Sequence, residues 1–141
     1  MPDGRTSLRA LSNSRYLAAA WILLVFFRIG LALAPYRLIK RVLPFTQGET
    51  APAWAQARTR WAIGVASRAA FGATCLPQAM ATKALLSLQG YSSFIRVGVR
   101  KGEGGVIQAH AWVLSGDDIV IGDEGGGLDS FSPLIDLRGP G

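Results

Sequence analysis

The chain holds a single thiol, Cys75, and a single imidazole, His110. A lone cysteine cannot close an internal disulfide or build a cysteine-rich metal site, and such residues are most often inert core fillers. The surroundings of Cys75 point elsewhere. Gly72 interrupts the preceding run, Thr74 is a suitable N-cap, and a helix is expected from Cys75 to Leu88. Pro77 is tolerated in its first turn, and Gly90 provides the stop. Unpaired N–H groups and the helix dipole at such a terminus favour a thiolate, which is the nucleophile. The same N–H groups can receive the oxyanion that forms when a carbonyl is attacked.

His110 falls in an alternating run that sets Val106, Gln108, Trp112 and Leu114 on its own face and Ile107, Ala109, Ala111 and Val113 on the other. A lone histidine is more often structural, but an imidazole between an amide and an indole reads as the wall of a site. Ser115-Gly116-Asp117-Asp118 separates this run from Ile119–Gly122. Glycine at the first central position marks a two-residue hairpin turn centred on Gly116-Asp117. Opposed residues then have numbers summing to 233, which sets Trp112 against Ile121 and His110 against Asp123. Directly opposed Cβ atoms lie about 4.5–5.5 Å apart. Asp123 can then hold one imidazole nitrogen while the other addresses Cys75. The expected set is Cys75 as nucleophile, His110 as base and Asp123 as orienter, with Asp117 and Asp118 solvated in the turn.

The elements that must carry these groups give an α+β chain. Residues 1–12 read as a frayed basic tail, followed by a helix over 14–34. Pro35 fits the first turn of a second helix, Tyr36 to Leu43. Thr50 is a plausible N-cap for a third helix through Ala70, with Trp54, Ala57, Trp61 and Val65 as its core face and Arg58, Arg60 and Arg68 opposite. After Gly90 the period changes to alternation, with Ile95, Val97 and Val99 on one face, and strands follow over 106–114 and 119–122. One domain spans 1–141: a basic helical portion at 1–70, a catalytic core at 71–124 and an irregular tail at 125–141.

Residues 1–70 carry ten Lys/Arg against Asp3 and Glu49, a net of +8, whereas residues 71–141 carry five against seven acidic residues. This asymmetry suits an anionic partner or a membrane surface, or simply a solvated arginine face. Nothing in the sequence resembles a nucleic-acid reader. No residue pattern calls for a metal or another cofactor, and Gly102-Glu103-Gly104-Gly105 is too short for a phosphate-binding loop. The apolar run from Leu17 to Phe27 is broken by Arg28 short of a membrane span. Ala32-Leu33-Ala34 imitates a signal-peptidase site, but Pro35 would follow the cut. Leu17–Ala34 is expected to be a core helix, with an interfacial helix and a signal segment as alternatives. The expected location is cytoplasmic, with contact at a membrane surface left open.

The run Thr74-Cys75-Leu76-Pro77-Gln78-Ala79, the later His110-Ala111-Trp112-Val113, and Gly122-Asp123 resemble the transglutaminase-like leader peptidases of lasso-peptide (microcin-type) biosynthesis, the B2-type processing proteins. The resemblance runs from about Leu31 to about residue 124. It implies a papain/transglutaminase-like core in which the cysteine helix packs on a small antiparallel sheet. It also implies a cysteine peptidase that removes the leader from a ribosomally made precursor and frees an amine for ring closure by a separate lasso cyclase. Small relatives of this kind rely on a separate leader-recognition protein. Two departures stand out. Leu114 occupies a position that is usually acidic, and the His-to-Asp spacing is one residue short, which implies a shift or bulge in the hairpin. An acyl transferase using the same triad, and a non-enzymatic membrane-associated scaffold, are the competing readings.

Overall fold

The computed structural model describes residues 4–33, 48–69, 75–122 and 128–137, and every structural statement below concerns these. The expected helix Tyr36–Leu43, the cap Thr74, the orienter Asp123 and the terminal Gly139-Pro140-Gly141 lie outside them. Three helices, α1 (Gly4–Leu33), α2 (Ala53–Ala69) and α3 (Cys75–Leu88), precede an antiparallel sheet. Its strands are β3 (Phe94–Lys101), β4 (Ile107–Ser115), β5 (Asp118–Ile121) and β6 (Ser132–Leu137), ordered β5-β4-β3-β6. Two short strands, β1 (Glu49–Thr50) and β2 (Tyr91–Ser92), form a separate parallel pair.

α3 is the central element. From Pro77 to Leu86 all but Gln78 is buried, because α1 and α2 cover one side and the sheet covers the other. Such a helix reads as apolar all round. Its one buried charge, Lys83, donates from Nζ to the Ser93 carbonyl at 2.7 Å and so fastens the helix to the entrance of β3. Gly90, at φ 87°, ends the helix in the left-handed region, as the sequence implies.

Several expectations are corrected. α1 begins at Gly4, so the residues read as a frayed tail are helical from there. Thr50 pairs with Ser92 as a strand residue and does not cap α2. The tryptophan stripe is not the buried face: Trp54 and Trp61 are 59% and 47% exposed, and Ala57 is exposed as well. Ala55, Thr59, Ala62 and Ala66 are buried in their place, together with Ile63. Small side chains at this spacing let three helices approach closely, which indoles would prevent. Trp54 instead meets Tyr91 edge-on, with ring centroids 6.4 Å apart. The tail is not irregular throughout, since β6 adds to the free edge of β3. Pro133, which disguises that strand, sits at a register shift on an edge, where a missing N–H is tolerated.

α1 has two apolar faces. Ala20, Leu24 and Phe27 are buried against α2 and α3, while Ile22, Phe26, Ile29 and Leu33 form an exposed stripe flanked by Trp21. Ser14–Leu33 is long and apolar enough to cross a membrane by length and composition alone. Tyr16 pins α1 to its neighbours: its hydroxyl shares a hydrogen bond of 2.5 Å with Thr59 and accepts another from Gln89. Burial holds this phenol above the ordinary tyrosine range, although both hydrogen bonds act in the opposite sense.

Ser115, at the turn end of β4, joins the two sheets. Its hydroxyl accepts from the Ala51 N–H at 2.8 Å and donates to the Ser92 carbonyl at 2.7 Å, with no exposure to solvent. Ser115→Ala would leave a buried donor and a partly buried acceptor unpaired. The expected loss is about 1–3 kcal/mol of unfolding free energy, measured by urea denaturation. An unchanged midpoint would show that water replaces the hydroxyl.

Candidate active site

Cys75 is the first residue of α3, half-buried, with a free thiol. The burial of the rest of the helix fixes where the sulfur stands. Its backbone belongs to the first turn, where N–H groups have no partner within the helix. His110 lies on β4 opposite Gly98 of β3. Its ring is held between two aromatic neighbours, Trp112 at 6.0 Å and Phe131 at 5.5 Å between centroids. Gly98 makes this packing possible, since a Cβ there would stand 2.8 Å from the Trp112 indole and 3.1 Å from the Ser132 carbonyl.

The ring orientation is set by one hydrogen bond, from His110 Nε2 to the carbonyl oxygen of Gly122 at 2.7 Å. A carbonyl can only accept, so Nε2 must carry the proton. In the neutral ring the free lone pair is then on Nδ1, which is available as a base. The acceptor itself is tightly specified. Gly122 has φ 109°, and a Cβ at this position would fall 2.4 Å from Trp112 Cβ.

The hairpin explains how Gly122 arrives there. The pairing sum of 233 holds for Ser115–Asp118 and Leu114–Ile119, around a turn in which Gly116 has φ 61°. A bulge between Val113 and Leu114 then sets Ile121 opposite Val113 and leaves Val120 as the extra residue. Ile121 is therefore not opposite Trp112, and the ladder ends before it reaches His110. The expected partner of His110, Asp123, lies outside the described residues.

The bulge is braced from α2. Arg60 donates Nε–H to the Val120 carbonyl at 2.7 Å, and its Nη2 approaches the Ile119 carbonyl at 3.4 Å. Arg60 is thus more than part of a solvated basic face. Gln56 also reaches the hairpin, donating to Asp118 at 3.1 Å, so Asp118 has a structural partner in the turn. Neither contact has a local signature along the chain, because both depend on how α2 packs.

Cys75 and His110 border two shared cavities. One, of about 100 Å³, is completed by Gln78, Ala111, Ile121 and Gly122. The other, of about 280 Å³, has Leu76, Val97, Ala109, Ala111 and Ile135 as its remaining walls. Among the described residues no hydrogen bond joins the thiol to the imidazole. Such contacts commonly tighten only around a bound substrate. No cluster of three metal-ligating side chains occurs among the described residues. A nucleophile at a helix start and an imidazole with a defined free nitrogen, sharing a cavity, are the components of covalent acyl transfer.

Comparison with known proteins gives the family. A family model described as Transglutaminase-like superfamily matches residues 21–136, most of the chain, so the chain belongs to that superfamily, which includes cysteine peptidases and acyltransferases. No curated protein and no solved structure matches the chain.

Because the chain has one histidine, its imidazole can be observed without interference. Long-range ¹H–¹⁵N spectra of the neutral ring are expected to show the proton on Nε2. A dominant Nδ1–H form would remove the Gly122 hydrogen bond. Gly122→Ala is expected to disturb that tautomer preference and to destabilise the fold, since the new methyl meets backbone and Cβ atoms of Trp112.

Proposed function

We propose that this member of the transglutaminase-like superfamily is a cysteine peptidase that removes the leader from a ribosomally synthesised precursor in lasso-peptide biosynthesis. The observation that carries the reading is the 2.7 Å contact of His110 Nε2 with the Gly122 carbonyl oxygen, which leaves Nδ1 free beside a cavity shared with Cys75. The Thr74-Cys75-Leu76-Pro77, His110-Ala111-Trp112-Val113 and Gly122-Asp123 runs support the narrower assignment.

In this reading the Cys75 sulfur attacks the carbonyl at the leader–core junction and forms a C–S bond. The thiol proton passes to His110 Nδ1 and from there to the departing amine as the C–N bond breaks. Water then gives a proton to the same nitrogen and adds to the thioester carbonyl. Collapse of that adduct releases the leader acid and restores the thiol. N–H groups of the first turn of α3 receive the negative charge on oxygen. Nε2–H stays on the Gly122 carbonyl throughout, and Asp123, next in sequence, is assigned the stabilisation of the imidazolium.

The freed amine is the nucleophile that a separate lasso cyclase requires. A separate leader-recognition protein presents the leader. Contact with a membrane surface through the exposed stripe of α1 is part of the proposal, supported by the net charge of +8 over residues 1–70.

The test combines purified protein, precursor peptide and the recognition protein, with products followed by mass spectrometry. Cys75→Ala and Cys75→Ser are expected to abolish cleavage, and substantial cleavage by the alanine variant would end the reading. Asp123→Ala is expected to lose roughly two to four orders of magnitude in rate, less than removal of nucleophile or base. Asp118→Ala should act mainly on stability, by about 1 kcal/mol, through its contact with Gln56. The opposite ranking of the two aspartates would exclude Asp123 as the group that stabilises the imidazolium.

A further inference from the structure

The larger cavity beside Cys75 has a specific origin in the sheet. Val97 pairs with Ala111 on one side and with Ile135 on the other, so these three residues form one row across β4, β3 and β6. Ala109 lies two residues from Ala111, on the same face of β4. Leu76, next to the nucleophile, closes the helix side. The volume exists because residues 109 and 111 are alanines, where larger side chains would fill it. Apart from Cys75 and His110, all its described walls are aliphatic. A charged side chain lying against Leu76, Val97, Ala109, Ala111 and Ile135 would lose part of its hydration to walls that offer it no charge or hydrogen bond. At about 280 Å³ it falls below the ~300–1,000 Å³ typical of pockets for whole small molecules. That size suits one side chain.

We propose that this cavity is the specificity pocket of the site and receives an uncharged aliphatic side chain from one of the two residues flanking the scissile bond. The inference rests on the peptidase reading and adds the class of residue that the site selects. Ala109 and Ile135 set the selection. Both are exposed, Ile135 by 51%, so their substitution does not open the core.

The experiment measures kcat/KM, with the recognition protein present, for two series of precursor peptides in which Leu, Val, Asp or Lys occupies one flank of the scissile bond at a time. At one flank the aliphatic members are expected to be cleaved at least about tenfold faster than the charged members, because a charge held against apolar walls is desolvated without compensation. Ala109→Phe, which fills the pocket, and Ile135→Asp, which places a charge in its wall, should each bring that ratio toward one. Circular dichroism confirms that the variants fold. Equal rates for aliphatic and charged members at both flanks would overturn the proposal, as would a ratio that survives in both variants.

A folded wild-type protein that cleaves no peptide would defeat the peptidase reading while leaving the pocket open to test. Alkylation of Cys75 by N-isobutyl iodoacetamide and by N-carboxyethyl iodoacetamide then decides. Faster reaction of the isobutyl reagent, lost in Ala109→Phe, supports the pocket. Equal rates in the wild-type protein dismiss it.

Discussion

The burial of α3 on every side is the constraint on which the other elements depend. A helix with apolar residues around its whole circumference needs partners in all directions. Here α1 and α2 supply one half of that cover and the sheet supplies the other. The alanine and threonine face of α2 allows the close approach, and Lys83 fixes the axial position of α3 through the Ser93 carbonyl. Cys75 stands at the end of this clamped rod. Its location relative to β4 is therefore set by core packing that contains no catalytic residue.

The imidazole is positioned by a second, independent chain of contacts. Arg60 braces the bulge at Val120, the bulge carries Gly122 past Trp112, and the Gly122 carbonyl fixes the proton on His110. α2 therefore serves both halves of the site, packing α3 with one face and holding the hairpin with another. Main-chain atoms do the final positioning of His110 among the described contacts. That choice makes the geometry depend on backbone conformation, and glycine is the residue that can adopt it beside the Trp112 Cβ.

The sequence was most legible where a single residue type has a single local meaning. The start of α3 at Cys75, its stop at Gly90 and the turn at Gly116 could be read in this way, as could the change of period after Gly90. It was least legible where tertiary contacts choose between local options. Tryptophans and alanines recur on α2 with the same period, so periodicity could not say which face was buried. Apolarity favoured the tryptophans, but the need for short interhelical distances selected the alanines. Pro133 hid β6, because a proline inside a run argues against a strand unless an edge position is known. The bulge at Val120 has no local signature, since its stabilising partner is an arginine about sixty residues earlier.

The two-faced character of α1 bears on how the chain reaches this arrangement. α1 is synthesised before α2 and α3, the helices that cover Leu24 and Phe27. At about 5–20 residues per second, the ribosome finishes α3 on the order of 3–10 s after α1. During that interval both apolar faces of α1 lack their native cover. The nascent helix is then open to chaperones, to membrane-targeting factors and to other copies of itself. Completion of α3 ends that exposure on one face only. The order of elements along the chain thus makes the yield of folded protein a matter of timing as well as of stability.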